Sequence, residues 1–191
     1  MVLTGLRVYA DKLVRMETDA GGLLIRLRPD EAPNTAWNFR ELAGGGFYNG
    51  VVFHRVVPVG RTGGGFVIQG GDPSGTGEGG PGYEIDLERS GLAHDFGVVS
   101  MARDRQPNTG GSQFFVCLTR QETARLDGLY TAFGEVISGE GTIAAIAALP
   151  LEPGEANRPV TPPRIVRAEL VDAPPAGTGP GRVRLGSPSE R

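Results

Sequence analysis

The chain has 191 residues, 31 of them Gly and 15 Pro, with 39% hydrophobic residues and a formal net charge of -3. The Gly and Pro share, about a quarter, approaches that of low-complexity chains, but this hydrophobicity and near-neutral charge exclude disorder as the default. No Gly-X-Y period occurs and long helices are ruled out, so a folded domain of short strands and many turns is expected.

Residues 6–17 and 22–28 read as a hairpin. Leu23, Ile25 and Leu27 share one face, Leu24 and Arg26 the other, and Asp19-Ala20-Gly21-Gly22 makes the turn. A helix is predicted over 33–43, with Pro33 in its first turn, Ala36, Phe39 and Leu42 at helical spacing, and Gly44-Gly45-Gly46 as its stop. Strands are predicted at 51–58 and 66–70, with Gly-rich loops at 60–65 and 70–82. Further strands are predicted at 97–103, 112–118, 130–136 and 163–171, and a second helix at 140–149. Helices after the second strand and before the last argue against a doubly wound α/β fold. The fold expected is mainly β, an eight-stranded antiparallel barrel or sandwich with two helices at its ends. Residues 1–172 form the expected domain. Residues 173–191, rich in Pro, Gly and Ser, read as a flexible tail outside the core.

The single cysteine, Cys117, permits no intrachain disulfide and suits a reducing compartment. The first seven residues lack the pattern of a secretory leader, and no apolar run approaches the ~20 residues of a membrane span. A cytoplasmic protein is expected, with neither nucleic acid nor a membrane as a partner.

His54 and His94 are the only histidines, and no spacing resembles a zinc site, so no metal is expected. The Gly-rich stretch 74–82 lacks the ending of a phosphate loop, and Ser112 is not in a hydrolase elbow. What remains is Phe53-His54-Arg55-Val56-Val57-Pro58, Phe66-Val67-Ile68-Gln69-Gly70-Gly71-Asp72-Pro73, Gly111-Ser112-Gln113-Phe114-Phe115 and Leu126-Asp127-Gly128. These segments supply aromatic surface, two amides and one guanidinium, without an obvious general base or nucleophile. Such a set suits a site that binds an apolar group and stabilises redistributed charge.

These segments, in this order, closely resemble the cyclophilin family of peptidyl-prolyl cis–trans isomerases, and the resemblance runs from about Glu17 to Val171. Asn38-Phe39, Met101-Ala102, Pro107-Asn108 and Phe133-Gly134 belong to it. It implies a closed eight-stranded antiparallel β-barrel capped by two helices, and acceleration of X-Pro rotation during protein folding. By the resemblance, Arg55 is the donor to the prolyl nitrogen. Phe66, Val67, Phe115 and Leu126 form the socket for the Pro ring, and Gln69 and Gln113 orient substrate and Arg55. Ala102 and the Arg103 main chain meet the peptide, and Tyr130 stands where the family often has His. His54 reads as structural. Adjacent Phe114 and Phe115 point to opposite faces of one strand, one into the core and one to the pocket. No cofactor is implied. The expected partners are proline-containing polypeptides, met by a monomer. Arg125 stands where well-known eukaryotic members have Trp, which implies reduced affinity for cyclosporin A. The sole tryptophan, Trp37, reads as packing on the first helix. The Val59–Gly65 loop is longer than the family's usual connection, and Arg61 within it is a candidate contact to residues flanking the proline. The competing readings are a non-catalytic proline-peptide binding module and, more distantly, a hydrolase.

Overall fold

The structure is a computed structural model that describes residues 12–154, 157–175 and 178–184. The expected strand residues 6–11 and the tail residues 176–177 and 185–191 lie outside the described residues.

Strands β1 (Lys12–Thr18) and β2 (Gly21–Leu27) form the predicted hairpin, with Leu13 opposite Arg26 and Thr18 opposite Gly21. The alternation read from the sequence holds: Leu23, Ile25 and Leu27 are buried, Leu24 and Arg26 half-buried. Helix α1 (Pro33–Gly44) follows. Pro33 opens it with a preset φ and no N–H to satisfy. The first turn carries no acidic residue of its own. Instead Glu88 accepts hydrogen bonds from the Asn34 N–H (3.0 Å) and the Thr35 N–H (2.7 Å), satisfying donors that a helix start leaves unpaired. Phe39 projects into the core, with ring centroids 5.2 Å from Phe114 and 4.9 Å from Phe133. Trp37, on the same helix, is 43% exposed with the Arg40 guanidinium 5.2 Å from its ring, so its role is at the surface rather than in the core.

The chain continues through β3 (Arg55–Val57), β4 (Val67–Gly70), β5 (Val98–Met101), β6 (Phe114–Cys117), helix α2 (Arg120–Thr123) with a 3-10 turn (Ala124–Leu126), β7 (Ala132–Ser138), helix α3 (Glu140–Ala147) and β8 (Ile165–Asp172). Helix α2 is an element the sequence reading did not anticipate. All eight strands form one antiparallel sheet in the order β3-β4-β6-β5-β7-β2-β1-β8. Register shifts at Glu17/Thr18, Leu24/Ile25 and Val99/Ser100 bend the strands and curl the sheet around its core.

The sheet is open, which corrects the expected closed barrel. Its edges are β3, with three residues, and β8, with eight. Among the described residues no ladder joins these two edges. One corner is held instead by residues 50–53. Val52 bridges to Arg164, the Phe53 N–H donates to the Pro163 carbonyl (2.9 Å), and the Ile165 N–H donates to Val51 (2.8 Å).

The main core runs through Val14, Met16, Ile25, Phe39, Tyr48, Phe53, Phe114 and Phe133. Part of the stretch expected as a tail returns to it. Val183 is buried among the core residues, its N–H donates to the Val136 carbonyl (2.9 Å), and Arg182 pairs with Asp95 (2.9 Å). No helix among the described residues is long and apolar enough to cross a membrane.

Candidate active site

Strand alternation splits β3, β4, β5 and β6 into two rows. Val56, Ile68, Val116 and Val99 lie opposite one another and are fully buried in the main core. The neighbouring row, Arg55, Gln69, Phe115 and Ser100, therefore points to the opposite face of the sheet. Phe114 and Phe115 divide as expected, Phe114 into the main core and Phe115 into a second, smaller apolar cluster with Val67 and Leu126.

Cross-strand pairing places the polar groups in series. Arg55 Nη1 donates to Gln69 Oε1 (3.0 Å), and Gln69 Nε2 donates to Gln113 Oε1 (3.0 Å). Gln113 Nε2 donates to the carbonyls of Gly77 and Gly79, both at 2.8 Å. These carbonyls are fixed by Asp72, which accepts from the Ser74 N–H (2.7 Å), the Ser74 hydroxyl (2.8 Å) and the Gly77 N–H (2.5 Å). Burial alone would raise the Asp72 carboxyl. The Ser74 and loop-amide donors outweigh that and hold it at about 2. Gly71, just before it, has φ +91°, and a Cβ there would stand 2.3 Å from the Ser112 carbonyl. Only Gly fits that turn.

Beside Arg55 lies a cavity of about 320 Å³. Phe66, Val67, Phe115 and Leu126 give it apolar walls. Arg55, Gln69, Ala102, Arg103 and Tyr130 also line it. Of the predicted site residues, Gln113 alone lies outside that lining, in an adjoining groove of about 470 Å³ that also touches Gln69, Ala102 and Arg103. Burial draws the Arg55 guanidinium below its ordinary value, with Tyr130 opposing. An arginine guanidinium nonetheless stays charged in a protein.

Tyr130 meets the Phe115 ring edge-on at 5.7 Å and carries the Arg103 guanidinium 4.5 Å from its centroid. The Arg103 side chain is further occupied by the carbonyls of Asp104 (2.8 Å) and Leu129 (2.9 Å). Sheet pairing ends one residue earlier, where the Ala102 N–H donates to the Gln113 carbonyl (2.9 Å). His54 is buried behind this face and lines neither cavity. Burial lowers its pKa, which keeps it neutral.

The model of the cyclophilin-type peptidyl-prolyl cis–trans isomerase family matches residues 13–170. The chain belongs to the cyclophilin family. It is an isomerase of that type. A peptidyl-prolyl cis–trans isomerase of Synechococcus elongatus is 45% identical over 125 residues, covering 65% of this cyclophilin and 80% of the relative. The isomerase-like 1 protein of Gibberella zeae is 41% identical over 163 residues, covering 82% and 93%. A Cryptosporidium parvum cyclophilin crystallised in the presence of the dipeptide Ala-Pro superimposes with a TM-score of 0.74 at 33% identity, covering 83% of this chain and 98% of that one.

This cyclophilin also carries supporting residues that the sequence reading missed. Asp127 accepts two bonds from Arg120 (2.9 and 2.6 Å) and one from the His94 N–H (2.9 Å), so the turn that presents Leu126 is fixed. The Arg120 guanidinium is the main reason that the Asp127 carboxyl lies far below its usual range. His94 Nδ1 donates to Asp127 (3.0 Å) while Nε2 accepts from the Ser100 hydroxyl (2.9 Å), and its ring stacks on Phe115 at 6.1 Å. Burial keeps His94 neutral, so it buttresses two walls of the cavity. Ser and Gly after Asp72 are a turn signal readable in sequence. The His94–Asp127 pairing spans 33 residues and has no such signal.

Proposed function

We propose that this cyclophilin isomerises X-Pro bonds by binding the Pro ring between Phe66, Phe115 and Leu126 while Arg55 donates to the prolyl nitrogen of the twisted amide. Amide resonance sets a barrier of roughly 18–20 kcal/mol. Twisting breaks that resonance and returns a lone pair to nitrogen. A fixed donor aimed there stabilises the transition state more than the planar ground state. The observation that carries this reading is the Arg55–Gln69–Gln113 series, which holds a charged fork of donors beside the apolar wall of the cavity. The fork is positioned before substrate arrives, so little reorganisation is needed. No proton transfer or covalent step is required.

Ala102 and the Arg103 main chain extend the substrate by sheet-like pairing, and Gln113 orients it from the adjoining groove. Tyr130 closes the pocket edge. The working unit is a monomer, with residues 1–172 as the isomerase domain. The substrates are proline-containing polypeptides during folding. The cytoplasm suits a protein whose one cysteine, Cys117, is buried with its thiol pushed well above its usual range.

Two-dimensional NMR exchange on a short Ala-Pro peptide tests this. The protein should bring cis and trans resonances into exchange at catalytic concentrations. Binding without acceleration would assign a proline-peptide module instead.

A further inference from the structure

The Val59–Gly65 loop joins β3 to β4 and is pinned by a single buried carboxylate. Glu122, 2% exposed on helix α2, accepts from the Arg61 N–H (2.9 Å), the Thr62 N–H (2.5 Å), the Thr62 hydroxyl (2.6 Å) and the Gly64 N–H (3.3 Å). Inside the loop the Gly60 N–H donates to the Gly64 carbonyl (2.6 Å), and Thr119 Oγ1 donates to the Gly65 carbonyl (2.7 Å). A long Gly-rich loop is thereby given one shape. That shape puts Arg61 on the lining of the proline cavity.

Arg125 reaches the same cavity from the 3-10 turn, its guanidinium 4.3 Å from the Phe66 ring centroid. With Arg55 and Arg103, the lining holds four guanidiniums and no carboxylate. Arg55 is held by Gln69 and Arg103 by main-chain carbonyls. Arg61 and Arg125 are exposed. The adjoining groove has the opposite character, with Glu78, Glu84 and Asp104 on its lining. Charge therefore changes sign along the surface a bound peptide would follow.

We propose that Arg61, positioned by Glu122, and Arg125 form a carboxylate-recognising rim on the proline cavity. X-Pro sites with an Asp or Glu side chain next to the proline are then preferred substrates. This rests on the isomerase reading and adds the substrate class. A carboxylate at the rim meets two cations whose separation from Glu78, Glu84 and Asp104 also fixes which way an acidic peptide lies. Arg61 and Arg125 act on substrate beside the reacting bond, and Glu122 is a positioning residue.

The test measures kcat/KM by NMR exchange on matched Ala-Pro peptides carrying Glu or Gln immediately before or immediately after the proline. At about 20 mM salt, Glu should be favoured over Gln by about 3- to 10-fold at one of the two positions, the scale of two exposed ion pairs. The preference should shrink at 0.5 M salt, where screening acts within a few ångströms. Arg61→Ala should lower the Glu/Gln ratio, and Arg61→Ala with Arg125→Ala should bring it to about one. Glu122→Gln, which keeps both arginines but loosens the loop, should lower the ratio to an intermediate value. A merely structural role for Glu122 would change both peptides alike and leave the ratio untouched. Equal turnover of Glu and Gln peptides at low salt would overturn the rim while leaving the isomerase reading intact. No turnover of any peptide would overturn both.

Discussion

Asp72→Asn removes a charge while keeping the size of the side chain, and its effect can be worked from the geometry. The carboxylate is buried and accepts three donors from the 74–77 turn. Its pKa falls from 3.8 to about 2 on folding. At 1.36 kcal/mol per unit, that shift is worth about 2.4 kcal/mol as a ceiling. Screening on the solvent side of the loop reduces it to about 1–2 kcal/mol. A carboxyl whose folded pKa is depressed stabilises the fold above its unfolded value, and that stability is lost as pH falls through the folded value. Here the window runs from about pH 4 down to about pH 2. Urea unfolding of wild type and Asp72→Asn, followed by circular dichroism, should show a gap of about 1–2 kcal/mol at pH 7. That gap should narrow steadily between about pH 4 and 2. A gap that stays constant across this range would show that the ionised carboxylate does not hold the turn.

Gln69→Ala removes the acceptor that holds Arg55, and should lower kcat by about tenfold, the worth of one hydrogen bond to a charged group, with unfolding free energy little changed; an unaltered kcat would mean that Arg55 needs no anchor. Phe114→Ala should cost about 3–5 kcal/mol in chemical denaturation, because Phe114 packs edge-on against Phe39, Tyr48 and Phe53 and the cavity left cannot collapse. A loss under ~1 kcal/mol would place Phe114 outside the core. Cyclosporin A should bind more weakly than to a Trp-bearing homologue in the same titration, and Arg125→Trp should recover part of the difference. Equal affinities at the outset would remove any role for that position.

Local patterns carried much of this architecture. Alternation in Leu23–Leu27 gives the hairpin face, and the adjacency of Phe114 and Phe115 separates core from pocket. Pro33 marked the start of α1. These are effects of chain periodicity and backbone geometry, which act over a few residues. The open sheet was not legible, because closure depends on whether the edges β3 and β8 come within pairing distance, and no local pattern reports that. The donors at the start of α1 are satisfied by Glu88, 53 residues away from Thr35. Glu122 holds Arg61 and Thr62 from about 60 residues away, and nothing in Arg-Gln-Glu-Thr distinguishes it from a solvated helix residue. Val183 sits in a composition that argues for a tail, yet a single apolar side chain finds the core beside Gly97. Composition averages over such anchors.

The most direct measurement of the central claim separates binding from barrier lowering in one sample. Wild type and Arg55→Ala are titrated with an Ala-Pro peptide, and NMR reports both Kd and the cis–trans exchange rate. If Arg55 acts on the twisted amide, Arg55→Ala should keep Kd within a few-fold of wild type while bound-state exchange falls by about 10²–10³, the usual cost of losing one preorganised donor. Exchange retained at the wild-type rate would contradict the account.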